Sequence, residues 1–413
     1  MKVLHLSTFD ESGGAAKAAF RLHKGLQAIG CDSQMLVQFK VGEDPAVTGA
    51  RSTIERMLRY LRPHLDALPV RLYPNRPVSS FSPALLPDNL AQRVTEIDPD
   101  IIHLHWVTAG FMRLETLSRF NKPLIWTLHD SWAFTGGCHV PLDCVRYRQK
   151  CGSCPVLGST RDHDLSGRIW RRKEKAWCDS PFTVVTPSRW LAGCAGASSL
   201  FHDKRIEVIP NGLDLQRFKP VDRQTARERL ALPQGKKLLL FGGIIGTRVR
   251  NKGFHLLVSA MKELVERGWR DRAELVVFGA SEPATAPDLG LNARYLGHLD
   301  DDDRIALLYA AADVFVAPSL QENLPNTIME AMACGTPCVA FNQGGVADLI
   351  DHERNGYLAQ PYEPADLARG IAWVLEDDGR WHALSMRTRQ KTEEEFDLQS
   401  VALRYAKLYQ EMI

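Results

Sequence analysis

Short apolar runs alternate with amphipathic segments along the chain. Runs such as KVLHLS, SQMLVQ, DIIHLHW and PLIWTLHD are almost continuously apolar, which is typical of buried strands. Between such runs lie segments such as GFHLLVSAMKELVERG, whose apolar residues recur at helical spacing. This alternation predicts an α/β protein with parallel sheets that are covered by helices on both faces.

The alternation restarts near Gly212. NGLDLQRFKP has the Asn-Gly pair and the proline of a linker, and KKLLLFGG then begins a second series of strands and helices. We therefore predict two doubly wound, Rossmann-like domains, over 1–212 and 213–390, that face each other across a cleft. A C-terminal helix over 391–413 is expected to pack back toward the first domain. Ligands of such sheets bind beyond the carboxyl ends of the strands, so the chemistry is expected in those loops.

Composition narrows the classes of protein. A net charge of +2 gives no electrostatic reason to expect nucleic acid as a partner. The first residues, MKVLHLSTFDESGG, do not resemble a signal peptide, and no stretch reaches the roughly 18 apolar residues of a membrane span. We therefore predict a cytoplasmic protein, in which the nine cysteines are thiols or metal ligands.

A basic segment lies at 51–76. It contains six arginines against Glu55 and Asp66, and IERMLRYLRPHLDAL places apolar residues at helical spacing. This pattern fits an amphipathic helix on the inner face of the plasma membrane. The alternative is a solvated helix whose apolar stripe packs into the core.

The strongest chemical signal is PSLQENLPNTIMEAMACGTPCVAF. Glu322 follows the apolar run DVFVAPS and therefore lies at a strand end. Asn323 is expected to cap a helix with Pro325 in its first turn, and such a helix start can bind a phosphate. Glu330 lies farther along, where its carboxylate can accept hydrogen bonds from a ribose diol.

This stretch resembles the donor-binding signature of glycosyltransferase family 4, the retaining enzymes of the GT-B fold. FDESGGAAKAAFRLHKGLQAIG, WTLHD, VIPNGLDLQRF, FGGIIGTRVRNKGFHLL and GGVADLIDHERNGYL resemble other blocks of the same family. The block HDSWAFTGGCH…C…CGSCP further resembles bacterial members that build exopolysaccharides such as colanic acid.

The resemblance implies a catalytic set of three residues. Glu322 would hold hydroxyls of the donor sugar, Lys252 would neutralise the diphosphate leaving group, and His129 would lie against the transferred sugar. Fixed cations and helix N–H groups stabilise the charge that develops as the bond to the diphosphate breaks. The family usually lacks a carboxylate nucleophile, so the resemblance implies front-face transfer, in which the donor phosphate accepts the acceptor's proton without a catalytic metal.

Further donor-binding positions are implied by three segments: the first glycine loop, the loop before Lys252 and the stretch from Glu322 onward. They are Gly13, Gly14, Arg248, Arg250, Asn323, Leu324, Asn326, Thr327 and Glu330. Many members of the family have glycine where this chain has Pro325, which has no N–H group, so one backbone contact to the donor is in doubt.

Three residues are candidates for the acceptor. Ser12 precedes the two glycines, Asp130 follows His129, and His105 lies near the end of the strand DIIHLHW. His103 and His105 alternate and therefore share one face of that strand. A hydrogen-bonded core histidine is the alternative for His105.

Four cysteines follow His129 and Asp130, with the spacing C-x5-C-x6-C-x2-C over 138–154. They are Cys138, Cys144, Cys151 and Cys154. Four thiolates can close a tetrahedral zinc site that leaves no open position for catalysis, and the neighbouring His139 could replace one ligand. Two disulfides or four free thiols are the alternatives.

These observations predict a retaining hexosyltransferase that uses a UDP- or GDP-sugar and a lipid-linked or oligosaccharide acceptor. Other nucleotide-sugar enzymes of the GT-B fold, such as an epimerase or a phosphorylase, are one alternative. An inactive partner subunit of a transferase, or a sensor built on the cysteines, is another.

Overall fold

The computed structural model describes residues 1–77, 79–243, 246–247, 249–283, 287–299 and 301–413. Its strands, in chain order, are β1 Lys2–Phe9, β2 Asp32–Phe39, β3 Val47–Thr48, β4 Ile101–Leu104, β5 Leu124–Thr127, β6 Thr183–Thr186, β7 Ile206–Val208, β8 Lys237–Gly242, β9 Ala273–Phe278, β10 Asn292–Tyr295, β11 Val314–Ala317, β12 Cys338–Phe341 and β13 Gly356–Ala359. Its α-helices are α1 Gly14–Ala28, α2 Thr53–Asp66, α3 Leu90–Ile97, α4 Leu165–Trp177, α5 Arg189–Gly196, α6 Arg223–Arg229, α7 Phe254–Glu266, α8 Asp302–Ala311, α9 Asn326–Ala333, α10 Val346–Leu349, α11 Pro364–Leu375, α12 Asp378–Glu395 and α13 Leu398–Gln410.

The chain divides into two compact units. The first contains residues 1–212 and 399–413, and the second contains residues 213–398. The prediction of one helix over 391–413 is wrong, because α12 ends at Glu395 and α13 is a separate helix. At the break the chain pairs with Leu213: the N–H of Leu213 donates to the carbonyl of Phe396 (2.8 Å), and the N–H of Leu398 donates to the carbonyl of Leu213 (3.0 Å).

Each unit is built on one parallel sheet. The order is β3-β2-β1-β4-β5-β6-β7 in the first unit and β10-β9-β8-β11-β12-β13 in the second, and every described pair is parallel. The chain reverses its direction of winding between β1 and β4 and between β8 and β11. Such switch points open a crevice at the carboxyl ends of the strands, where ligands bind in doubly wound sheets.

Both faces of each sheet are buried, which confirms the predicted fold class. In β1, Leu4 and Leu6 belong to one apolar cluster while Val3 belongs to the cluster on the other face. In β8, Leu240 and Leu239 divide in the same way. Apolar residues on both sides of a strand explain the nearly continuous apolar runs in the sequence.

Helix α13 completes the core of the first unit. Val401, Tyr405 and Tyr409 are buried with Val3 and Ile101 in one cluster. The C-terminal residues of the chain therefore cover one face of the N-terminal sheet.

Helix α2 has an apolar stripe that faces solvent. Ile54 is 69% exposed, Met57 70% and Leu61 54%. A capping box of Ser52 and Glu55 fixes the start of the helix. The alternative, in which this stripe packs into the core, is therefore wrong.

Among the described residues, we find no helix with both the length and the apolar character that a membrane crossing requires.

Candidate functional site

Two side chains of opposite charge meet at the switch point of the second sheet. Nζ of Lys252 lies 2.6 Å from Oε1 of Glu322. Lys252 lies in the loop after β8 and Glu322 in the loop after β11, and these two strands are neighbours. The Lys252 side chain is 35% exposed and that of Glu322 is 17% exposed, so both remain within reach of a ligand.

Backbone contacts hold these two loops together. The N–H of Leu320 donates to the carbonyl of Asn251 (2.8 Å), and Nδ2 of Asn251 donates to the carbonyl of Gln321 (2.9 Å). Gly253 has φ +71°, and a Cβ there would lie 1.7 Å from the carbonyl oxygen of Pro318, so a larger residue does not fit. Sequence reasoning missed Asn251, whose only signal was its place directly before the lysine.

A second glycine fixes the loop that carries Glu322. Gly344 has φ +66°, and a Cβ there would lie 2.0 Å from the carbonyl oxygen of Glu322. That carbonyl accepts the N–H of Gly345 (2.9 Å). The start of the sequence block GGVADLIDHERNGYL therefore packs against the backbone of Glu322 and fixes its position.

Helix α9 starts beside this loop, but not as predicted. The expectation that Asn323 caps it is wrong, because Pro325 occupies the N-cap position and no side chain caps the helix. A cap at position 323 would need an N–H from residue 325 or 326, and Pro325 has none. Asn326 and Thr327 occupy the first turn, at the positive end of the helix dipole, and Leu324 is buried.

Glu330 lies inside α9 and is only 6% exposed. Its Oε2 accepts a hydrogen bond from the hydroxyl of Tyr309 (3.1 Å). Burial raises the pKa of Tyr309 well above its usual value, and the nearby carboxylate adds to the shift, so the hydroxyl stays a donor. The structure thus holds one carboxylate oxygen of Glu330 in a fixed direction.

The other predicted donor residues that the structure describes, Gly13, Gly14 and Arg250, are partly or fully exposed. Gly13 is the N-cap of α1, has φ +93°, and has open space on its Cβ side; Gly14 begins the helix. Ser12 is exposed directly before them. Arg250 is exposed at the start of the short 3-10 helix that ends at Lys252, whereas Arg248 lies outside the described residues.

Three histidines of the first unit form a hydrogen-bonded chain. Nδ1 of His5, on β1, lies 2.9 Å from Nε2 of His105, and Nδ1 of His105 lies 3.1 Å from Nε2 of His129. His105 is 3% exposed and both of its ring nitrogens are occupied. The prediction that His105 meets the acceptor is therefore wrong, and the alternative of a core histidine holds. His129 itself is partly exposed after β5.

His5, His105 and His129 are uncharged at neutral pH. Burial lowers the pKa of His129 to about 4, against the attraction of Asp130. Burial also lowers the pKa of His5 and of His105 well below the usual value. A neutral imidazole donates through one nitrogen and accepts through the other, so the tautomers along the chain are coupled.

Asp130 orders its own loop. Its Oδ2 accepts from Nδ1 of His139 (2.6 Å) and Nε1 of Trp106 (2.8 Å), and its Oδ1 accepts from the N–H of Trp132 (2.8 Å). Although burial opposes it, these bonds, led by His139, hold the pKa of Asp130 below its usual value. Both oxygens are thus engaged within the loop and give Asp130 a structural role, while its contact with the acceptor stays a prediction.

The four cysteines after Asp130 line one small hollow. No disulfide joins any of them. Burial raises the pKa of the Cys138 thiol and raises that of Cys151 to about 12. His139 is bonded to Asp130 and to Ser82 instead of facing the thiols.

One group of three residues in the described chain has potential metal-ligand atoms within 4.8 Å of one another: His5, His103 and His105. His103 bonds Thr127 and Tyr409, each at 2.7 Å, and the other two rings bond as above. Nε2 of His5 is the ring nitrogen of this group without a hydrogen-bond partner in the described residues. These rings are therefore committed to hydrogen bonds, which leaves too few nitrogens for a metal site.

Two family matches cover nearly the whole chain. Residues 12–217 match Glycosyltransferase Family 4, and residues 222–394 match Glycosyl transferases group 1. The chain is a glycosyltransferase of the GT-B fold. The predicted family and enzyme class are thus confirmed. Neither match identifies the predicted exopolysaccharide subtype.

Curated relatives of this glycosyltransferase include two D-inositol 3-phosphate glycosyltransferases. That of Xylanimonas cellulosilytica is 29% identical over 308 residues, which cover 70% of this chain and 67% of the relative. D-inositol 3-phosphate glycosyltransferase 2 of Catenulispora acidiphila is 36% identical over 185 residues, which cover 42% of this chain and 43% of the relative. The match thus spans less than half the length of the second relative.

Solved structures share the fold of this glycosyltransferase over its full length. Sucrose-phosphate synthase from Thermosynechococcus elongatus has a TM-score of 0.71 at 20% identity and covers 100% of this chain and 99% of its own. HepE from Anabaena, solved in complex with UDP-glucose, has a TM-score of 0.65 at 19% identity, with 100% of both chains covered.

Proposed function

We propose that this glycosyltransferase transfers a hexose from a UDP- or GDP-sugar to an acceptor with retention at the anomeric carbon. The observation that carries the proposal is the Lys252–Glu322 pair, 2.6 Å apart at the switch point of the second sheet. An ammonium group, a partly exposed carboxylate and a helix start occur together there. That set suits a phosphate-bearing sugar.

The charge pair is expected to separate when the donor binds. The diphosphate attracts the ammonium group of Lys252 more strongly than one carboxylate does, because it carries several negative charges. Glu322 is then free to accept hydrogen bonds from the sugar hydroxyls. The first turn of α9 supplies N–H groups and the positive end of a dipole to the same leaving group.

Front-face transfer needs no free carboxylate nucleophile. In the second unit Glu322 is paired with Lys252, and in the first unit both oxygens of Asp130 accept hydrogen bonds from their own loop. In the proposed step the bond from the anomeric carbon to the phosphate oxygen breaks, and a bond to the acceptor oxygen forms on the same face. The acceptor's proton passes to an oxygen of the departing diphosphate.

His129 is proposed to orient the transferred sugar as a neutral group. Its pKa of about 4 leaves it uncharged at neutral pH. Because Nε2 is bonded to His105, Nδ1 is the nitrogen available for a sugar hydroxyl. His129 would thus position the sugar through a hydrogen bond.

We propose a lipid-linked acceptor at the inner face of the plasma membrane, as in exopolysaccharide synthesis. Helix α2 supports this, because its apolar stripe is exposed and arginines occupy other positions of the segment 51–76. Apolar side chains insert into the headgroup region while arginines attract anionic lipids. The names of the relatives favour a second candidate acceptor, D-inositol 3-phosphate, which is water-soluble.

The test offers the purified protein UDP- and GDP-hexoses with each acceptor, the lipid-linked one in vesicles. Release of nucleoside diphosphate, product mass and anomeric configuration by NMR are measured. A product of retained configuration on one acceptor supports the proposal, and an inverted product contradicts retention. Free sugar without acceptor would indicate the epimerase-like alternative. Nucleotide binding without any turnover would indicate an inactive partner subunit.

A further inference from the structure

The four cysteines of 138–154 come from three turns of an irregular loop, yet they line one hollow. Cys138, Cys151 and Cys154 are buried, and Cys144 is partly buried. Each of the four is in electrostatic contact with the other three. Four thiols without disulfide partners that line one hollow supply the donor set of a tetrahedral site for a soft divalent ion. Among the described residues no three of these sulfur atoms lie within 4.8 Å of one another, so they must approach one another to bind an ion.

A backbone N–H group points at one of these sulfur atoms. The N of Gly136 lies 3.1 Å from Sγ of Cys151 and donates to it. Such a donor stabilises a negatively charged sulfur, so it favours the form in which Cys151 would bind a metal ion.

A buried lysine lies close to the same hollow. Lys173, on α4, is 0% exposed, and its Nζ donates to the carbonyls of Trp132 and Thr135, the latter at 3.0 Å. Thr135 itself lines the hollow. No carboxylate of the described residues lies within ion-pair distance of this Nζ. A buried cation without a carboxylate partner is costly, so an anionic neighbour is expected.

We propose that Cys138, Cys144, Cys151 and Cys154 bind one Zn²⁺ as a tetrathiolate site whose counter-charge is Lys173. Each thiol gives its proton to solvent on binding, and four thiolates around one divalent ion carry a net charge of −2. Zn–S bonds of about 2.3 Å bring the sulfurs to about 3.8 Å from one another, so the loop closes inward as the ion binds. Four protein ligands leave no position for substrate, and the site is structural.

The proposed site stabilises the loop that begins at His129. Lys173 bonds the carbonyls of the turn that follows Asp130, and Cys138 precedes His139, which bonds Asp130. The ion and the lysine therefore hold the two ends of this turn. This role is independent of the donor nucleotide and of the acceptor.

The first experiment is metal analysis of the wild-type chain by mass spectrometry, after expression with zinc and purification without chelator. About one zinc per chain is expected. Replacement by Co²⁺ should give the intense visible absorption of a tetrahedral thiolate site. A strong chelator should remove the ion, lower the melting temperature and make the four thiols reactive.

Variants then assign the ligands. Cys151→Ser with Cys154→Ser should lower the zinc content to less than about a tenth of the wild-type value. Cys178→Ser is the matched control, because Cys178 is exposed and outside the hollow, and it should keep its zinc. Lys173→Met should weaken zinc binding by about tenfold, measured by chelator competition.

Several results would overturn the proposal. Wild-type protein without metal, whether its four thiols are free or joined as disulfides in a non-reducing mass measurement, would do so. Full zinc retention by the double cysteine variant would do so as well. Because the wild-type measurement needs no substitution, the conclusion does not depend on whether a variant folds.

Discussion

Nζ of Lys252 and Oε1 of Glu322 are 2.6 Å apart, although the residues are 70 positions apart in the chain. We expect Lys252→Met and Glu322→Gln each to lower kcat/KM by roughly 10²–10³, since each removes a group that stabilises developing charge. The free energy of unfolding should change by less than about 1 kcal/mol, because the pair is partly exposed. Enzyme turnover and chemical unfolding are measured for each variant.

The matched control for this pair is Lys237→Met. Nζ of Lys237 forms a similar pair with Asp378 (2.9 Å) in the same unit but away from the switch-point loops. The Lys237→Met variant should keep the turnover of the wild-type enzyme. Full turnover in Lys252→Met would show that the site assignment is wrong.

His105 is predicted to position His129. His105→Phe keeps a ring in place but leaves Nε2 of His129 without its 3.1 Å partner. We expect kcat to fall by about tenfold, the effect of one lost hydrogen bond, and the pH profile of kcat to shift. His23→Phe is the control, since His23 is equally buried but bonds Ser33 instead. An unchanged pH profile in His105→Phe would exclude the positioning role.

Glu330 is predicted to bind the ribose of the donor. Wild-type protein should bind UDP, or GDP if that is the donor base, about tenfold more tightly than the 2′-deoxy form, because a charged hydrogen bond is lost with the hydroxyl. Glu330→Ala should bind both forms equally weakly by calorimetry. A variant that still discriminates between them would place the ribose contact elsewhere. Tyr309→Phe removes the hydroxyl that holds Glu330 in place. This variant should weaken the binding of both nucleotide forms by a smaller factor than Glu330→Ala does.

Stability of the first unit should fall as pH falls below about 6.5. His5, His103 and His105 have pKa values well below that of an unfolded histidine, so the unfolded state binds more protons in this range. Each fully buried histidine costs about 1.4 kcal/mol at pH 5.5 relative to pH 7.5. The stability that neutral burial contributes is therefore present above pH 6.5 and lost on acidification.

Urea unfolding with proteolysis and mass spectrometry can follow each unit separately at both pH values. The histidines of the second unit that the structure describes are exposed, so its midpoint serves as the internal control. Equal urea midpoints for the first unit at the two pH values would contradict the conclusion that these three buried histidines are neutral.

Met57 is predicted to contact a membrane. Met57→Gln with Leu61→Gln should lower binding to vesicles with anionic lipid by at least about tenfold, because two apolar side chains no longer leave water. Met386→Gln is a matched control, since Met386 is 69% exposed and Met57 is 70% exposed. Flotation with neutral and anionic vesicles at low and high salt gives the measurement. Equal binding by all variants would reject α2 as the contact.

Local patterns were sufficient to predict the fold and the position of Glu322. Apolar runs that alternate with amphipathic segments indicate parallel strands, and a residue after such a run must lie at the ligand-binding edge of the sheet. The helix start was misplaced because the rule for a capping Asn323 ignored the missing N–H of Pro325. Both the success and the error came from interactions between neighbouring residues.

The partners of buried polar groups depended on tertiary structure. Alternation along the run DIIHLHW puts His103 and His105 on one face, but His5 comes from a strand about 100 residues away, and only the sheet order brings it alongside. Lys173 likewise gave no signal in the sequence, since a lysine on an amphipathic helix is normally solvated.

For helix α2, the sequence determined that one face is apolar, and the structure decided that this face meets solvent. Helical periodicity is a property of local backbone geometry, so it can be read from the chain. What a face packs against depends on segments that are distant in sequence, and these are brought together only by folding. The same reason separates the spacing of the four cysteines, which the sequence determines, from the single hollow that they line.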